Sequence, residues 1–265
     1  MAINTIVCVK QVPDSEAPAS AFRIDEKRMR LVTAQGIPPI INMFDEQAVE
    51  AALRIKDAQG GKITVISMGN NLVMDVVKKP LSMGSDELVL IQDPDLEESD
   101  SFVTAQVLAA AIRKVGTFDL VLCGRQASDW DNAQVASGIA EILGIPCVTI
   151  AKAVEVSGGK VVVDRVLPDG VERVEAPLPC VVTVSNELGE PRYPTLRGIM
   201  AAGRKQPVVW KAADLNLDPG MLTPRVRIER VFIPVKESHC EFIQGETPAD
   251  AGRKLALKLR EGKIL

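Results

Sequence analysis

The residues from Cys123 to Ala136 read Cys-Gly-Arg-Gln-Ala-Ser-Asp-Trp-Asp-Asn-Ala-Gln-Val-Ala. They lie between an apolar run and a helix-like periodicity, and they are too polar and too long to serve only as a connector. Gly124, Arg125, Ser128, Asp129, Asp131 and Asn132 crowd donors and acceptors into one loop. The free N–H groups expected where the next helix starts, near Asn132 to Val135, suit a phosphate, and Asp129 or Asp131 can accept from ribose hydroxyls. Nucleotide binding is therefore the chemistry this loop could do; a decorated surface loop is the competing reading.

Four other stretches carry candidate groups. Cys8-Val-Lys-Gln-Val-Pro-Asp14 leaves a first strand without the glycine-rich cradle of a dinucleotide fold, and neither GxGxxG nor GxxxxGK[ST] occurs anywhere in the chain. Lys10 and Asp14 read as solvated loop charges. In Asn42-Met-Phe-Asp-Glu-Gln-Ala-Val-Glu50, Asn42 at a cap and Asp45 three residues later resemble a capping box. Ser67-Met-Gly69 precedes a helix capped by Asn70 or Asn71, with Gly69 permitting a tight turn or a close ligand. Asn186-Glu-Leu-Gly-Glu-Pro-Arg-Tyr-Pro-Thr-Leu-Arg-Gly-Ile-Met200 is stiffened by two prolines. Its Tyr193, Leu196, Ile199 and Met200 are either core residues or an outward docking surface.

Other chemistries have little to work with. The five cysteines, Cys8, Cys123, Cys147, Cys180 and Cys240, show no CxxC pair and no zinc or cluster spacing, so no metal site is expected. Four of them lie in strand-like runs and read as core. His239 is the only histidine, which leaves no imidazole triad. A net charge of −4 and 3% aromatic residues argue against a nucleic-acid surface. No apolar run approaches the roughly 20 residues of a membrane span, and Met1–Lys10 lacks a basic leader, so the expectation is a cytoplasmic protein without membrane insertion.

These groups must be positioned by alternating elements. Buried β-branched runs at Thr5–Val9, Ile63–Ser67, Leu88–Ile91, Leu120–Cys123, Val148–Ile150 and Val181–Val184 read as parallel strands. Between them, Ala48/Ala52/Ile55, Val73/Val77/Leu81, Val103/Val107/Ala111 and Val135/Ile139/Ile142 keep helical spacing. The pattern predicts an α/β fold with a doubly wound, mainly parallel sheet whose ligands bind beyond the carboxyl ends of the strands. Gly158-Gly159 and Pro168-Asp169-Gly170 punctuate an added antiparallel pair. From Pro207 onward prolines break the chain until an amphipathic helix at Ala249–Arg260. The expected division is a nucleotide-binding domain over 1–206, including the loop 186–200, and a C-terminal arm over 207–265 that wraps its own domain or a partner.

Taken in order, Val-Lys-Gln-Val-Pro-Asp, Asn-x-Phe-Asp-x-x-Ala-Val-Glu, Ser-Met-Gly, Gly-Arg-Gln-Ala-Ser-Asp-x-Asp and Glu-Pro-Arg-Tyr-Pro-Thr-Leu resemble the electron-transferring flavoprotein beta subunit over nearly the whole chain. The resemblance implies a Rossmann-like, adenine-nucleotide-binding domain without catalytic activity of its own. Its partner would be an alpha subunit that holds the redox FAD, while this chain holds AMP. The heterodimer would carry electrons, as in fatty acid oxidation, from dehydrogenases such as acyl-CoA dehydrogenases toward a quinone-linked oxidoreductase. By the family pattern Cys8, Asn42 and Ser67 line the adenosine pocket. Asp129, Asn132, Ala133, Gln134 and Val135 meet ribose and phosphate on the loop that Gly124 opens. Tyr193, Leu196 and Ile199 form the docking loop, with Leu196 as anchor, and the arm contacts the alpha subunit.

Three departures qualify this. Val135 stands where many members have threonine, which leaves the phosphate to backbone donors. A bifurcating subgroup that binds a second FAD shares Ala-Gln-Val but has a small residue in place of Trp130, whose indole would crowd a flavin; AMP is favoured over FAD on that ground. Val166 replaces a glutamate that can face the alpha subunit. A nucleotide hydrolase or adenylating enzyme is the other class of function, and it would want the glycine-rich loop this chain lacks.

Overall fold

The computed structural model describes residues 1–27, 29–34, 36–234 and 239–265. In chain order the strands and α-helices are β1 (Thr5–Cys8), β2 (Gln11–Val12), β3 (Phe22–Asp25), β4 (Arg30–Thr33), β5 (Ile40–Ile41), α1 (Met43–Gln59), β6 (Ile63–Met68), α2 (Met74–Val77), α3 (Lys79–Met83), β7 (Glu87–Ile91), α4 (Ser101–Val115), β8 (Leu120–Gly124), α5 (Val135–Leu143), β9 (Cys147–Ser157), β10 (Lys160–Leu167), β11 (Gly170–Pro177), β12 (Cys180–Val184), α6 (Leu196–Arg204), β13 (Val208–Trp210) and α7 (Pro248–Glu261).

One nine-stranded sheet in the order β11-β10-β9-β12-β8-β1-β6-β7-β13 organises the chain. Every pair from β9 to β13 is parallel, and β9-β10-β11 form the antiparallel extension. Strands buried on both faces need no polar alternation, which is why β1 and β8 read as unbroken apolar runs. Alternate residues of β1 enter different cores. Val7 packs with α1, and with Leu81 and Met83 of α3, on one face; Ile6 and Cys8 pack with α4 and α5 on the other. Cys8, Cys123 and Cys180 are buried, as expected, whereas Cys147 at the start of β9 is only half-buried.

Two compact units emerge, Met1–Glu229 and Arg230–Leu265. The sequence put the boundary at 206/207. Residues just beyond it instead form β13, which pairs Val208, Val209 and Trp210 with Val89, Leu90 and Ile91, and the first unit continues to Glu229. A three-residue strand flanked by Pro207 and a turn is too short to show a period. The second unit contains α7, whose N-cap Thr247 accepts from Asp250 N at 3.2 Å. Among the described residues no helix is long and apolar enough to cross a membrane.

Candidate functional site

Chain order and strand order diverge at β1. The chain leaves β1 through α1 to β6 on one edge, and later returns through β8 on the other. That reversal opens a crevice beyond the carboxyl ends of β1 and β8, the place where doubly wound sheets bind ligands. Cys8 stands level with Cys123 and Ile66 in the ladder, so Ser67 and Gly124 follow one residue further out. The neighbouring Cys8 thiol, and then burial, push the Cys123 thiol well up, which keeps Cys123 unreactive beneath the site.

The N-terminus of α1 joins the two walls. Asn42 N donates to Lys10 O at 2.9 Å. Its side chain, 1% exposed, donates from Nδ2 to Gln126 O at 2.8 Å and accepts from Ser128 N at 3.2 Å. Asp45 accepts from Lys10 N at 2.8 Å and from Gly124 N at 2.9 Å, one bond on each carboxylate oxygen. The capping box expected from spacing is therefore absent: Asn42 makes no side-chain cap bond to its own helix. Both side chains reach residues that the fold, not local sequence, brings near. Burial pushes the Asp45 carboxyl up to about 7, against the pull of its N–H donors and of Lys10. A Cβ on Gly124 would overlap Asp45 Oδ1 and lie 2.7 Å from Phe44 Cβ, so only glycine fits there.

The outer end is closed by Lys10 Nζ, 2.7 and 2.8 Å from the two carboxylate oxygens of Asp129. Lys10 stays solvent-exposed, as expected, but also finds a partner 119 residues away; Asp14 stays local, accepting from Glu16 N. Beyond Asp129 the loop turns through Asp131 and Ala133, both left-handed at φ +50° and +53°, a conformation non-glycine residues adopt at a cost. Gln126 donates to Asp131 at 2.8 Å and Asn132 to Ser101 Oγ at 3.1 Å. Gln134 then takes the N-cap position of α5 without a side-chain cap bond, so the first-turn N–H groups after Val135 are available to an anion. Ser67 is fully buried and, among the described residues, its Oγ has no hydrogen-bond partner. An unpaired buried hydroxyl is rare without a ligand to answer it. The helix after Ser67-Met-Gly69 is capped by Val73 rather than by Asn70 or Asn71, and Asn70 donates to Glu97 instead.

The second candidate group surrounds α6. Tyr193, Leu196 and Ile199 are 90%, 76% and 53% exposed, and Met200 accompanies them. Thr195 caps the helix by accepting from Gly198 N at 3.0 Å. The helix packs against α3, where a side chain on Gly198 would strike the Ser82 carbonyl, and Ala202 is buried. The core alternative for Leu196 is thereby excluded. Sequence reading missed what holds this loop. Glu50 of α1 receives Arg192 Nε at 2.8 Å and Arg54 Nε at 2.9 Å, and Arg192 also reaches Asp57 at 2.9 Å.

The two candidate groups lie on different elements: Cys8, Asn42, Ser67, Gly124, Asp129, Asn132, Ala133, Gln134 and Val135 lie at the carboxyl ends of β1, β6 and β8 and the starts of α1 and α5, while Tyr193, Leu196 and Ile199 lie on α6 and the loop before it, with α6 packed against α3. Comparison with known proteins adds a family. The electron transfer flavoprotein domain matches residues 30–215. The caffeyl-CoA reductase-Etf complex subunit CarD of Acetobacterium woodii is 38% identical over 267 residues, covering 99% of this chain and 100% of that protein. The electron transfer flavoprotein subunit beta of Thermoanaerobacterium thermosaccharolyticum is 42% identical over 221 residues, 83% of each chain. The acryloyl-CoA reductase electron transfer subunit gamma of Anaerotignum propionicum is 38% identical over 249 residues, 93% of this chain and 89% of that one. With a matching domain over most of its length and relatives of this similarity, the chain belongs to the electron transfer flavoprotein family, as a beta subunit.

Proposed function

We propose that this subunit pairs with an electron transfer flavoprotein alpha subunit and holds the adenosine and phosphate end of a nucleotide in the crevice between β1 and β8. The observation that carries the reading is the uncapped start of α5 at the end of a loop that Asn42 and Asp45 pin to β1, together with the unpaired Ser67 hydroxyl at the carboxyl end of β6. Ser67 and Asn42 would face the adenosine, Asp129 would accept from the ribose once released by Lys10, and the N–H groups after Gln134 would receive the phosphate. The heterodimer then carries electrons from dehydrogenases, such as acyl-CoA dehydrogenases, to a quinone-linked acceptor, with the working FAD held mainly by the alpha subunit. Tyr193, Leu196 and Ile199 dock the dehydrogenase, and the arm that contacts the alpha subunit is the part of 207–265 beyond the first unit, Arg230–Leu265.

AMP is the nucleotide the sequence favours, as a structural ligand that stabilises the folded form by mass action. FAD is the second reading, and a specific observation favours it. The indole of Trp130, whose bulk was the ground for AMP, is 51% exposed rather than packed into the protein, and two relatives carry the names of CoA-thioester reductase systems. Bound AMP is redox-silent, whereas FAD would supply a second two-electron carrier. Co-expression with an alpha subunit tests the common reading: a yellow heterodimer that reduces dye with a dehydrogenase is expected, and a chain that stays monomeric and colourless beside its alpha subunit would overturn it.

A further inference from the structure

We propose that Asp45 is a positioning residue for the nucleotide: its carboxylate holds the loops leaving β1 and β8 at the spacing the crevice needs. The inference rests on the nucleotide reading above and adds a residue to it.

The ladder between β1 and β8 ends at Cys8 and Cys123. One residue later the walls would be free to part. Asp45 continues the junction, taking Lys10 N on one oxygen and Gly124 N on the other. An ionised carboxylate is acceptor-only, so it can answer two N–H donors at once. An asparagine would turn an NH₂ toward one of them, and a protonated carboxyl would turn an O–H there. Either change unpairs one wall. Gly124 leaves no room for adjustment, since anything larger would displace Asp45. The walls that Asp45 joins carry Asp129 on one loop and its partner Lys10 on the other, so a slip at Asp45 is transmitted to the outer end of the site.

Among the described residues, few groups act on Asp45. From the β1 loop comes Lys10, from the helix start the Asn42 side chain, and from β8 the Cys123 thiol and the Gly124 N–H. On α1 itself Glu46 is paired with Lys79 and Glu50 with Arg192 and Arg54. Burial pushes Asp45 up to about 7, so its ionisation falls within the neutral range.

The test is equilibrium dialysis of AMP and of FAD on nucleotide-stripped heterodimer at about pH 8 and about pH 6, for wild type, Asp45→Asn and Glu46→Gln. A site that needs ionised Asp45 loses about tenfold in affinity over that interval. FAD is the cleaner probe, because its diphosphate does not titrate there; with AMP the ligand's own titration is common to all three proteins. Asp45→Asn should bind at least tenfold more weakly at the higher pH and show no protein-dependent slope, while Glu46→Gln tracks wild type. Wild-type affinity for FAD and AMP that is independent of protein ionisation, or Asp45→Asn binding as tightly as wild type, would overturn the proposal. If Asp45→Asn does not assemble, the wild-type and Glu46→Gln profiles still decide. Wild type binding neither nucleotide at either pH would instead sink the nucleotide reading, and the role of Asp45 with it.

Discussion

Glu50 on α1 and Arg192 in the loop after β12 lie 142 residues apart and are joined by three hydrogen bonds, from the Arg192 backbone N–H and two of its guanidinium nitrogens. Burial would push the Glu50 carboxyl up, but Arg192 and Arg54 outweigh it and hold the group below its ordinary value. The stabilisation is therefore present at neutral pH and lost as pH falls through the depressed value. Arg192→Ala should cost about 2 kcal/mol at neutral pH, as charged hydrogen bonds to a buried carboxylate do. Urea titrations should show wild type and variant converging in acid; a constant gap across pH would contradict the assignment.

Leu196→Ala should leave the melting temperature of the heterodimer nearly unchanged, because the side chain is 76% exposed. An apolar anchor in a partner pocket contributes on the order of 2 kcal/mol, so dehydrogenase affinity should fall roughly thirtyfold. Coupled dye reduction over a range of dehydrogenase concentrations measures it, and unaltered affinity would remove Leu196 from the docking surface.

Gly124→Ala should destabilise by about 1–3 kcal/mol through overpacking against Asp45 and Phe44, and should weaken nucleotide binding as well. Gly203→Ala in α6 is the control: nothing lies within 4 Å of its added carbon, and alanine in a helix should be neutral or stabilising by about 0.5–1 kcal/mol. Equal losses from the two substitutions would mean that the tight approach at Gly124 has no consequence.

Asp45 predicts an opposite pH trend for folding and for binding. Its folded value of about 7 lies above the ordinary 3.8, so the folded protein holds a proton that the unfolded chain releases. Stability of the nucleotide-free protein should decline as pH rises from about 4 to about 7, by an upper limit of roughly 4 kcal/mol from this group, and then level. Asp45→Asn should flatten that component in chemical denaturation measured across the window. A wild-type component that rises with pH instead would contradict the burial assigned to Asp45.

Much of the fold was legible because β1, β6, β7, β8 and β12 are buried apolar runs rich in Val, Ile and Leu, and the helices between them keep their period. The polar loop after β8 announced itself by length and charge. What escaped is what depends on distant partners. Asn42 and Asp45 have the spacing of a capping box, and nothing local reveals that Gly124 and Ser128 will arrive to take their bonds. Glu50 reads as one more helix glutamate until Arg192 is folded back onto it. The strands β3 and β4 are half-exposed and only four residues each, too short and too wet to show a pattern. Trp130 could be weighed by size but not by direction.

The central claim, an adenine nucleotide resident in this subunit's crevice, is tested most directly by denaturing purified heterodimer and identifying and counting what it releases. The account predicts the FAD of the alpha subunit together with one further adenine nucleotide per heterodimer, lost when Ser67 is replaced by a bulkier residue such as leucine. AMP as that second molecule marks the simple carrier and a second FAD marks the bifurcating type. Release of one FAD and no other nucleotide would contradict the account.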